Sequence, residues 1–386
     1  MPAPVLDRAG VLQLPAGKGH RDSMSGYRVV APATLETFAG TIFQALGTPA
    51  DIAGEVAAHL VRANLAGHDS HGVIRIPQYA SMIDRGQLVP NARPAVLHDR
   101  GAALLVDGVY GFGQFSASFA LEPAIERATE LGVAAVAIRR ANHIGRVGDY
   151  TESAARRGLV ALVTVGAAGP GVGGAAPFGG AARFLGTNPW SIALPRPGGD
   201  RVLVDFATTV VAEGKVRVAR AKHEALPPGC ILDRNGHPST NPEDFYAGGV
   251  LLPFGGHKGY GLALAAALLG GLSAIGEHDP SMAGAAAPPG SPSAGDRLGG
   301  VFMVVVDPGV FGPREEYAAA VGRVADAAKR VPPAPGVAEV LIPGEPEARA
   351  RAQREREGIA IPDDTWDAIA QVAGKAGVPM PESRAA

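Results

Sequence analysis

Apolar and polar positions along the chain follow two different periods, and each period predicts a different kind of element. Apolar residues recur every three to four positions over 33–46 and 49–65, which predicts two amphipathic helices separated by a turn. The same spacing predicts helices over 116–131, 149–157, 210–222, 260–274 and 363–376, and two polar helices are predicted over 314–330 and 345–357. Short apolar runs rich in β-branched residues predict strands over 102–106, 133–139, 159–165, 190–194, 202–206 and 301–307. The mixture of strands and helices predicts a mixed α/β fold.

Two segments lack either period. Residues 1–27 are polar and contain glycine and proline, so we expect a disordered leader rather than a secretory signal. Residues 280–299 are a low-complexity run of Pro, Gly, Ala and Ser, and loops of this length are usually functional or mobile. The longest apolar stretch, 259–275, contains glycines and is shorter than the roughly 20 residues of a membrane span, so it predicts a buried helix.

Composition narrows the class of protein. Apolar residues make up 46% and charged residues 19% of 386 positions, which is typical of a globular protein. The net charge of −2 argues against nucleic acid or an anionic membrane as a partner. The single cysteine, Cys230, excludes an intramolecular disulfide and a zinc site built from cysteines, and it fits a reducing, cytoplasmic compartment. No His, Asp or Glu grouping has the spacing of a metal site.

Three functional side chains recur at every fourth position: His71, Arg75 and Tyr79. Residues four apart share one face of a helix, and we expect a helical turn capped by Ser70 before a second helix that starts at Pro77. An arginine can grip a carboxylate with two hydrogen bonds, and a histidine can transfer a proton near neutral pH. The set suits a small carboxylate with a reactive carbonyl. A capped helix with solvated polar residues is an equally weighted alternative.

Four later loops carry polar side chains, three of them together with glycines, and for each an ordinary loop is the alternative interpretation. They span 140–150, 184–190, 205–209 and 252–261. The first follows a predicted strand, where α/β proteins often bind ligands, and the last could bind a phosphate ahead of a helix. The run 171–176 matches G-x-G-x-x-A, but proline and glycines follow it instead of a helix, so we reject a Rossmann unit there. The residues alone do not reach a reaction.

Five motifs, in this order, resemble those of the malate/L-lactate dehydrogenase family of NAD(P)-dependent oxidoreductases, which is unrelated to the Rossmann-type lactate and malate dehydrogenases. They are GHDSHGVIRIPQY, NHIG, LGTNP, DFATT and GGHKGYGL, and the resemblance runs from about Val29 to Val378. It implies a mixed α/β, non-Rossmann NAD(P)-binding fold. A mostly helical substrate and dimerisation lobe would comprise 28–110 and 310–386, and an NAD(P)-binding lobe would comprise 111–309. It also implies a homodimer with its site near the subunit interface.

The resemblance also implies a reaction and the residues that perform it. Hydride would pass reversibly between NADH or NADPH and C2 of a 2-oxo acid, giving an L-2-hydroxy acid. Ser70, Arg75 and Tyr79 would contact the substrate, and His71 or His143, as a histidinium, would donate the proton. Cofactor contacts would come from His143, Ile144, Gly145, Leu185, Gly186, Thr187, Asn188, Pro189, Thr208, Thr209 and Lys258.

Two other functions stay open at this point. A cyclic imine carboxylate needs the same carboxylate grip by Arg75 but presents a C=N acceptor, and the sequence does not separate it from a 2-oxo acid. A non-catalytic dinucleotide-binding paralogue predicts a lost catalytic group. The presence of both His71 and His143 counts against that interpretation.

Overall fold

A computed structural model describes residues 26–221, 223–275 and 298–385. The predicted leader over 1–25 and the predicted loop over 280–297 lie outside these residues. The helices are α1 (Pro32–Ala45), α2 (Ala50–Leu65), α3 (Ile76–Asp84), α4 (Gly113–Leu131), α5 (Gly148–Arg156), α6 (Glu213–Ala221), α7 (Pro242–Tyr246), α8 (His257–Gly270), α9 (Arg314–Lys329), α10 (Glu345–Glu357) and α11 (Asp363–Lys375). The strands are β1 (Tyr27–Val30), β2 (Ala95–Asp99), β3 (Ala103–Asp107), β4 (Val133–Arg139), β5 (Val160–Ala168), β6 (Trp190–Pro195), β7 (Arg201–Phe206), β8 (Ile231–Leu232), β9 (Pro238–Ser239), β10 (Val250–Leu251), β11 (Leu298–Val306), β12 (Ile359–Pro362) and β13 (Arg384–Ala385).

The largest sheet among these strands has the order β2-β3-β4-β11-β5-β6-β7. Its neighbours pair antiparallel except β3 and β4, which are parallel. β11 lies between β4 and β5, so that Met303 pairs with Val136 on one side and Val163 on the other. Such continuous apolar runs are expected of strands that are covered on both faces. α8 packs closely on β5 at Gly166, where a Cβ atom would lie 2.2 Å from the carbonyl carbon of Ala266.

A second hydrophobic core joins the two ends of the described chain. Leu60 of α2 and Ile369 of α11 are fully buried in it, because each lies on the apolar face of its helix. β1 pairs antiparallel with β12, with Val29 opposite Ala360. The N-terminal helices and the last helix therefore stabilise one another, and they hold the 67–79 segment between them.

The predicted mixed α/β class is confirmed, and β4 and α10 have the predicted bounds. Several local predictions were wrong. Tyr27, assigned to the leader, is the first residue of β1. Ser70 lies inside a 3₁₀ helix, Asp69–His71, whose first turn has no side-chain cap, and α3 begins at Ile76 rather than at Pro77. β11 begins at Leu298, inside the segment assigned to a loop, because Leu298–Val306 pairs with β5 over its whole length.

Two sequence-based expectations can be compared with this architecture: that 171–176 is not a Rossmann phosphate loop, and that 259–275 does not span a membrane. After 171–176 the described chain continues through a loop into β6, with Ala175 bridging to Leu185, and no helix follows the glycines. Across the described ranges, no helix combines the length and apolar character that crossing a bilayer requires.

Candidate active site

The segment around Ser70-His71-Gly72, called the SHG turn below, forms two consecutive 3₁₀ helices, Asp69–His71 and Val73–Arg75, which precede α3. Gly72 separates them and packs against α2, since a Cβ atom there would lie 2.2 Å from Oδ1 of Asn64. That same oxygen accepts a hydrogen bond from the N–H of Val73 at 2.9 Å. The only side chain small enough for this approach is glycine's hydrogen, so the turn is clamped to α2 and its side chains point from a fixed backbone.

Tyr79 and His143 form the closest polar contact between the two predicted His motifs. The phenol oxygen lies 2.7 Å from Nδ1 of His143 and accepts a hydrogen bond of 2.7 Å from Nε2 of Gln114. Tyr79 is 1% exposed and Gln114 is fully buried in the first turn of α4. Nε2 of His143 has no hydrogen-bond partner in the described chain, which leaves this atom available to a ligand.

His71 lies directly against His143. Their imidazole rings stack with centroids 5.4 Å apart and planes 17° apart. Nδ1 of His71 is 3.0 Å from Oγ of Ser70, so Ser70 orients this ring. The structure thus brings together His71 and His143, the two histidines predicted as alternative proton donors.

Burial and the nearby arginine keep these groups neutral. Burial lowers the pKa of His71 to about 3, with the charge of Arg75 acting in the same direction. Burial, again reinforced by Arg75, also holds the pKa of His143 well below its usual value. The pKa of Tyr79 rises to about 12 through burial, against the hydrogen bond from Gln114 and the charge of Arg75. The free site therefore holds two neutral imidazoles at pH 7, whereas the resemblance implied that a histidinium donates the proton.

Arg75 supplies the positive charge beside the imidazoles. Its Nε donates to the carbonyl of Ser70 at 2.6 Å, and its Nη1 donates to Oε1 of Gln78 at 2.6 Å. Nη2 meets no hydrogen-bond partner among the described residues. Arg75 lines a groove of about 730 Å³, together with Glu213 and Arg217 of α6. The guanidinium is thus fixed at one edge and retains donors for a carboxylate at the other.

The NHIG loop is held from α2 by a histidine that the sequence motifs did not single out. Nε2 of His59 accepts the N–H of Arg146 at 3.0 Å, and its Nδ1 lies 3.2 Å from Asp149. Gly145 has φ +76°, and a Cβ atom there would lie 2.3 Å from Nε2 of His59. His59 sits among the apolar positions of a predicted helix, and a buried polar residue on such a face was the available signal. The backbone beside His143 is consequently fixed by His59.

Asn142 also fixes this loop. Its Nδ2 donates to the carbonyls of Tyr110 at 2.7 Å and Gly111 at 3.1 Å. The predicted cofactor residues Ile144 and Leu185 are buried in the apolar cores, so only their backbones can face a ligand.

The LGTNP and DFATT motifs contact each other. Thr187 accepts two hydrogen bonds of 2.8 Å on its carbonyl oxygen, from the N–H and from Oγ1 of Thr208. Nδ2 of Asn188 donates to the carbonyl of Ala263 in α8 at 2.7 Å. Oγ1 of Thr209 donates to the carbonyl of Val211 at 2.8 Å. These contacts therefore join the LGTNP and DFATT motifs to each other and join LGTNP to α8, and together they form one wall.

Gly186 and Pro189 complete that wall through their backbones. The N–H of Gly186 donates to the carbonyl of Ala167 at 3.0 Å, and the carbonyl of Pro189 accepts Oγ1 of Thr164 at 2.8 Å.

Two contacts connect this wall to the histidine pair. Oδ2 of Asp205, at the end of β7, accepts the N–H of Gly148 at 3.0 Å. Gly214 of α6 lies so close to the SHG turn that a Cβ atom would be 2.8 Å from Cβ of Ser70. All five sequence motifs thus belong to one connected region of the molecule.

The remaining motif forms the start of α8 and fits an anionic group. Gly255 and Gly256 have φ of +56° and +62°, and no side chain caps the helix at Gly256. Lys258 is exposed in the first helical turn. A cleft of about 490 Å³ opens beside the glycines, with Phe178 on its wall. The helix dipole, an exposed lysine and a helix start without a side-chain cap suit the pyrophosphate of a dinucleotide.

Comparison with known proteins agrees with these features. The family model "Malate/L-lactate dehydrogenase" matches residues 30–370. The chain is 37% identical over 359 residues to hydroxycarboxylate dehydrogenase B of Escherichia coli K12, covering 92% of this chain and 96% of the relative.

Two solved structures share the fold and a substantial part of the sequence. Sulfolactate dehydrogenase from Methanocaldococcus jannaschii superposes with a TM-score of 0.78 at 32% identity, covering 91% of this chain and 98% of the other. Δ1-Piperideine-2-carboxylate reductase from Pseudomonas syringae pvar. tomato gives a TM-score of 0.75 at 29% identity, with coverages of 89% and 99%. Enzymes of the matched family use NAD(H) or NADP(H). The chain belongs to the malate/L-lactate dehydrogenase family and is an oxidoreductase.

Proposed function

We propose that this enzyme interconverts a 2-oxo acid and an L-2-hydroxy acid by hydride transfer with NADH or NADPH. The observation that carries the proposal is the stack of His71 on His143, with Tyr79 bonded to His143 and the Arg75 cation beside them. This set combines a fixed cation for a carboxylate with imidazoles for the oxygen that changes protonation. Both are required at neighbouring atoms of a 2-oxo acid.

Each side chain then has a chemical task. Arg75 binds the substrate carboxylate through its unpaired Nη2, while Ser70 and Tyr79 orient the rings around it. His143 meets the C2 oxygen through its free Nε2. A bound nicotinamide supplies the hydride. The task of the protein is to align C2 with the hydride donor and to control the proton.

We assign the cofactor to the wall that runs from the NHIG loop to α8. Backbone groups of His143–Gly145 and Leu185–Pro189 would line it, together with Thr208 and Thr209. Lys258 and the glycines at the start of α8 would hold the pyrophosphate, because that helix end combines the positive end of the helix dipole with an exposed cation and has no side-chain cap.

The direct test follows the absorbance of reduced nicotinamide, with NADH and NADPH in turn, against a panel of 2-oxo acids. Turnover that yields the L-2-hydroxy acid, identified by chiral chromatography, is the expected result. Tight binding of the reduced cofactor without turnover of any acceptor would overturn the proposal.

Reduction of a cyclic imine carboxylate is a second candidate, favoured by the 29% identity to the piperideine carboxylate reductase over nearly its full length. It needs the same carboxylate grip and a proton donor to nitrogen instead of oxygen. Including one cyclic imine in the panel separates the two candidates by the ratio of their kcat/KM values.

We also propose that the enzyme works as a homodimer in the cytoplasm. Large apolar side chains are exposed at Leu131, Val310 and Phe311. Val310 packs against Gly132, the residue that follows Leu131. Apolar patches of this kind are common at subunit interfaces. Light scattering after size exclusion should give twice the chain mass of 39.2 kDa, and a monomer at micromolar concentration would contradict this part.

A further inference from the structure

We propose that Tyr79 is the source of the proton in the reduction, that His143 passes this proton to the substrate, and that Gln114 is a positioning residue that sets the direction of transfer. The inference rests on the proposed function, since it concerns the same reaction. It assigns Tyr79 a role beyond substrate contact and gives Gln114 a role that no motif suggested.

The direction follows from counting hydrogens. A phenol has one hydrogen, and its oxygen already accepts Nε2–H of Gln114 at 2.7 Å. The phenol hydrogen is therefore left for Nδ1 of His143, also at 2.7 Å. Nδ1 then acts as an acceptor, so the neutral imidazole carries its own hydrogen on Nε2. That is the ring atom without a hydrogen-bond partner among the residues that the structure describes, and it would face the substrate oxygen.

The proton balance closes without a histidinium. As hydride reaches C2, negative charge develops on the substrate oxygen, which takes the proton from Nε2 of His143. Nδ1 of the same ring takes the phenol proton of Tyr79. The products are a hydroxy acid, a neutral imidazole with its hydrogen on Nδ1, and a phenolate on Tyr79. In the oxidation direction both protons move back. Solvent must reprotonate the phenolate between reductive turnovers.

Two groups stabilise the phenolate. Nε2–H of Gln114 already points at the phenol oxygen, and a hydrogen bond to an anion is stronger than one to a neutral oxygen. Arg75 acts through its charge, and both lower the pKa of Tyr79 against the effect of burial. Phe43 and Phe112 pack their rings against Tyr79, with centroids 6.3 and 5.9 Å away, and they keep the surroundings of the phenol apolar.

A simple histidinium mechanism is disfavoured by the same geometry. In a histidinium, Nδ1–H would point at the phenol oxygen, and the phenol hydrogen would lose the acceptor that it has in Nδ1 of the neutral ring. Burial and Arg75 also oppose a positive charge on His143. A relay that keeps the ring neutral avoids both costs.

The test measures single-turnover oxidation of bound NADH or NADPH by a 2-oxo acid in mixtures of H₂O and D₂O. Two protons in flight predict that the rate falls as a curved function of the deuterium fraction. Tyr79→Phe should be slower by about 100-fold and should show a linear dependence, because only one proton then moves. A linear dependence in the wild-type enzyme, or an unchanged rate in Tyr79→Phe, would overturn the proposal.

Gln114→Met provides a second variant that keeps the buried volume and both rings. Loss of a hydrogen bond to a charged oxygen predicts a kcat lower by roughly 10- to 100-fold, with an unchanged KM for the 2-oxo acid. Ser118→Ala, on the same helix and bonded to Glu55, should match the wild type in both parameters. An equal effect of the two substitutions would reduce Gln114 to a structural role. Absence of turnover in the wild type would refute the proposed function itself, which is a different outcome from either variant result.

Discussion

The imidazole of His71 stacks on that of His143, with ring centroids 5.4 Å apart and an interplanar angle of 17°. Two charged rings at this distance would repel each other, and Arg75 adds a third positive charge. The pKa of both histidines is accordingly lowered, first by burial and then by Arg75. Their bonding differs, however, because His71 contacts Ser70 while His143 contacts Tyr79. The two rings therefore have different expected tasks.

The first prediction separates these tasks. His143→Gln should lower kcat by about 10²- to 10⁴-fold, because it removes the ring that exchanges the proton. His71→Gln should act mainly on the KM of the 2-oxo acid, because its ring packs beside the reacting group. Quenching of nicotinamide fluorescence would show that both variants still bind the cofactor. A larger kcat loss in His71→Gln would exchange the roles of the two histidines.

The second prediction concerns pH and stability. The pKa of His71 is about 3 in the folded protein, against about 6.5 in an unfolded chain. Below pH 6.5 the unfolded state binds more protons, so the free energy of unfolding falls as the pH is lowered towards 3. At pH 5 this loss is about 2 kcal/mol for His71. Urea unfolding at pH 7.5 and pH 5 should show a smaller difference for His71→Asn than for the wild type. Equal differences would contradict the lowered pKa.

The third prediction tests how His59 holds the NHIG loop. A methyl group at Gly145 would lie 2.3 Å from Nε2 of His59, the atom that accepts the N–H of Arg146. Gly145→Ala should therefore lower both the free energy of unfolding and kcat. Gly171 offers a matched control, since its φ of +71° resembles the +76° of Gly145 but no atom lies within 4 Å of its Cβ position.

Gly171→Ala should lower the free energy of unfolding only by the backbone strain, about 1–2 kcal/mol, and should leave kcat unchanged. Thermal unfolding and steady-state rates of the two variants provide the comparison. If Gly145→Ala lowered the free energy of unfolding no more than Gly171→Ala, the conformation of the NHIG loop would not depend on its contact with His59.

Local pattern predicted the elements whose own residues specify their type and their ends. β4 is a continuous apolar run, and α10 has acidic residues in its first turn and basic residues in its last turn between two flanking glycines; both were bounded correctly. β1 and β12 escaped because each has four residues, and their pairing joins Val29 to Ala360 across more than 300 positions. No local period carries that information. The two 3₁₀ helices around Gly72 were missed for a similar reason. Their geometry depends on the close packing of Gly72 against Asn64 of α2, which the local sequence does not show.

The residues of the candidate site also fall into those that local motifs reveal and those that only the fold reveals. His71, His143 and Arg75 stood out because their side chains carry chemistry in short motifs. Gln114 did not, because its importance comes from lying next to Tyr79, which is 35 positions earlier in the chain. Contacts of this kind become visible only when the fold brings distant segments together.

The fourth prediction concerns the carboxylate grip. Arg75→Ala should raise the KM of the 2-oxo acid strongly, with a loss on the order of 2–5 kcal/mol for a carboxylate left unpaired in a buried site. Gln78→Ala is the control, because it removes the partner of Nη1 but leaves the guanidinium bonded to Ser70. Its KM should change by less than that of Arg75→Ala. Initial rates over a wide range of substrate concentrations give both values, and an unchanged KM in Arg75→Ala would remove this residue from the substrate site.

The fifth prediction concerns the start of α8. Lys258→Gln should weaken the binding of NADH and NADPH, because it removes a cation from the first turn of a helix whose N–H groups have no side-chain cap. Since the charge is exposed, added salt should reduce the difference between the variant and the wild type. Lys375→Gln removes an equally exposed lysine at the end of α11 and should not alter binding. Fluorescence titrations at low and high salt distinguish these cases, and equal dissociation constants for Lys258→Gln and the wild type at low salt would move the pyrophosphate away from α8.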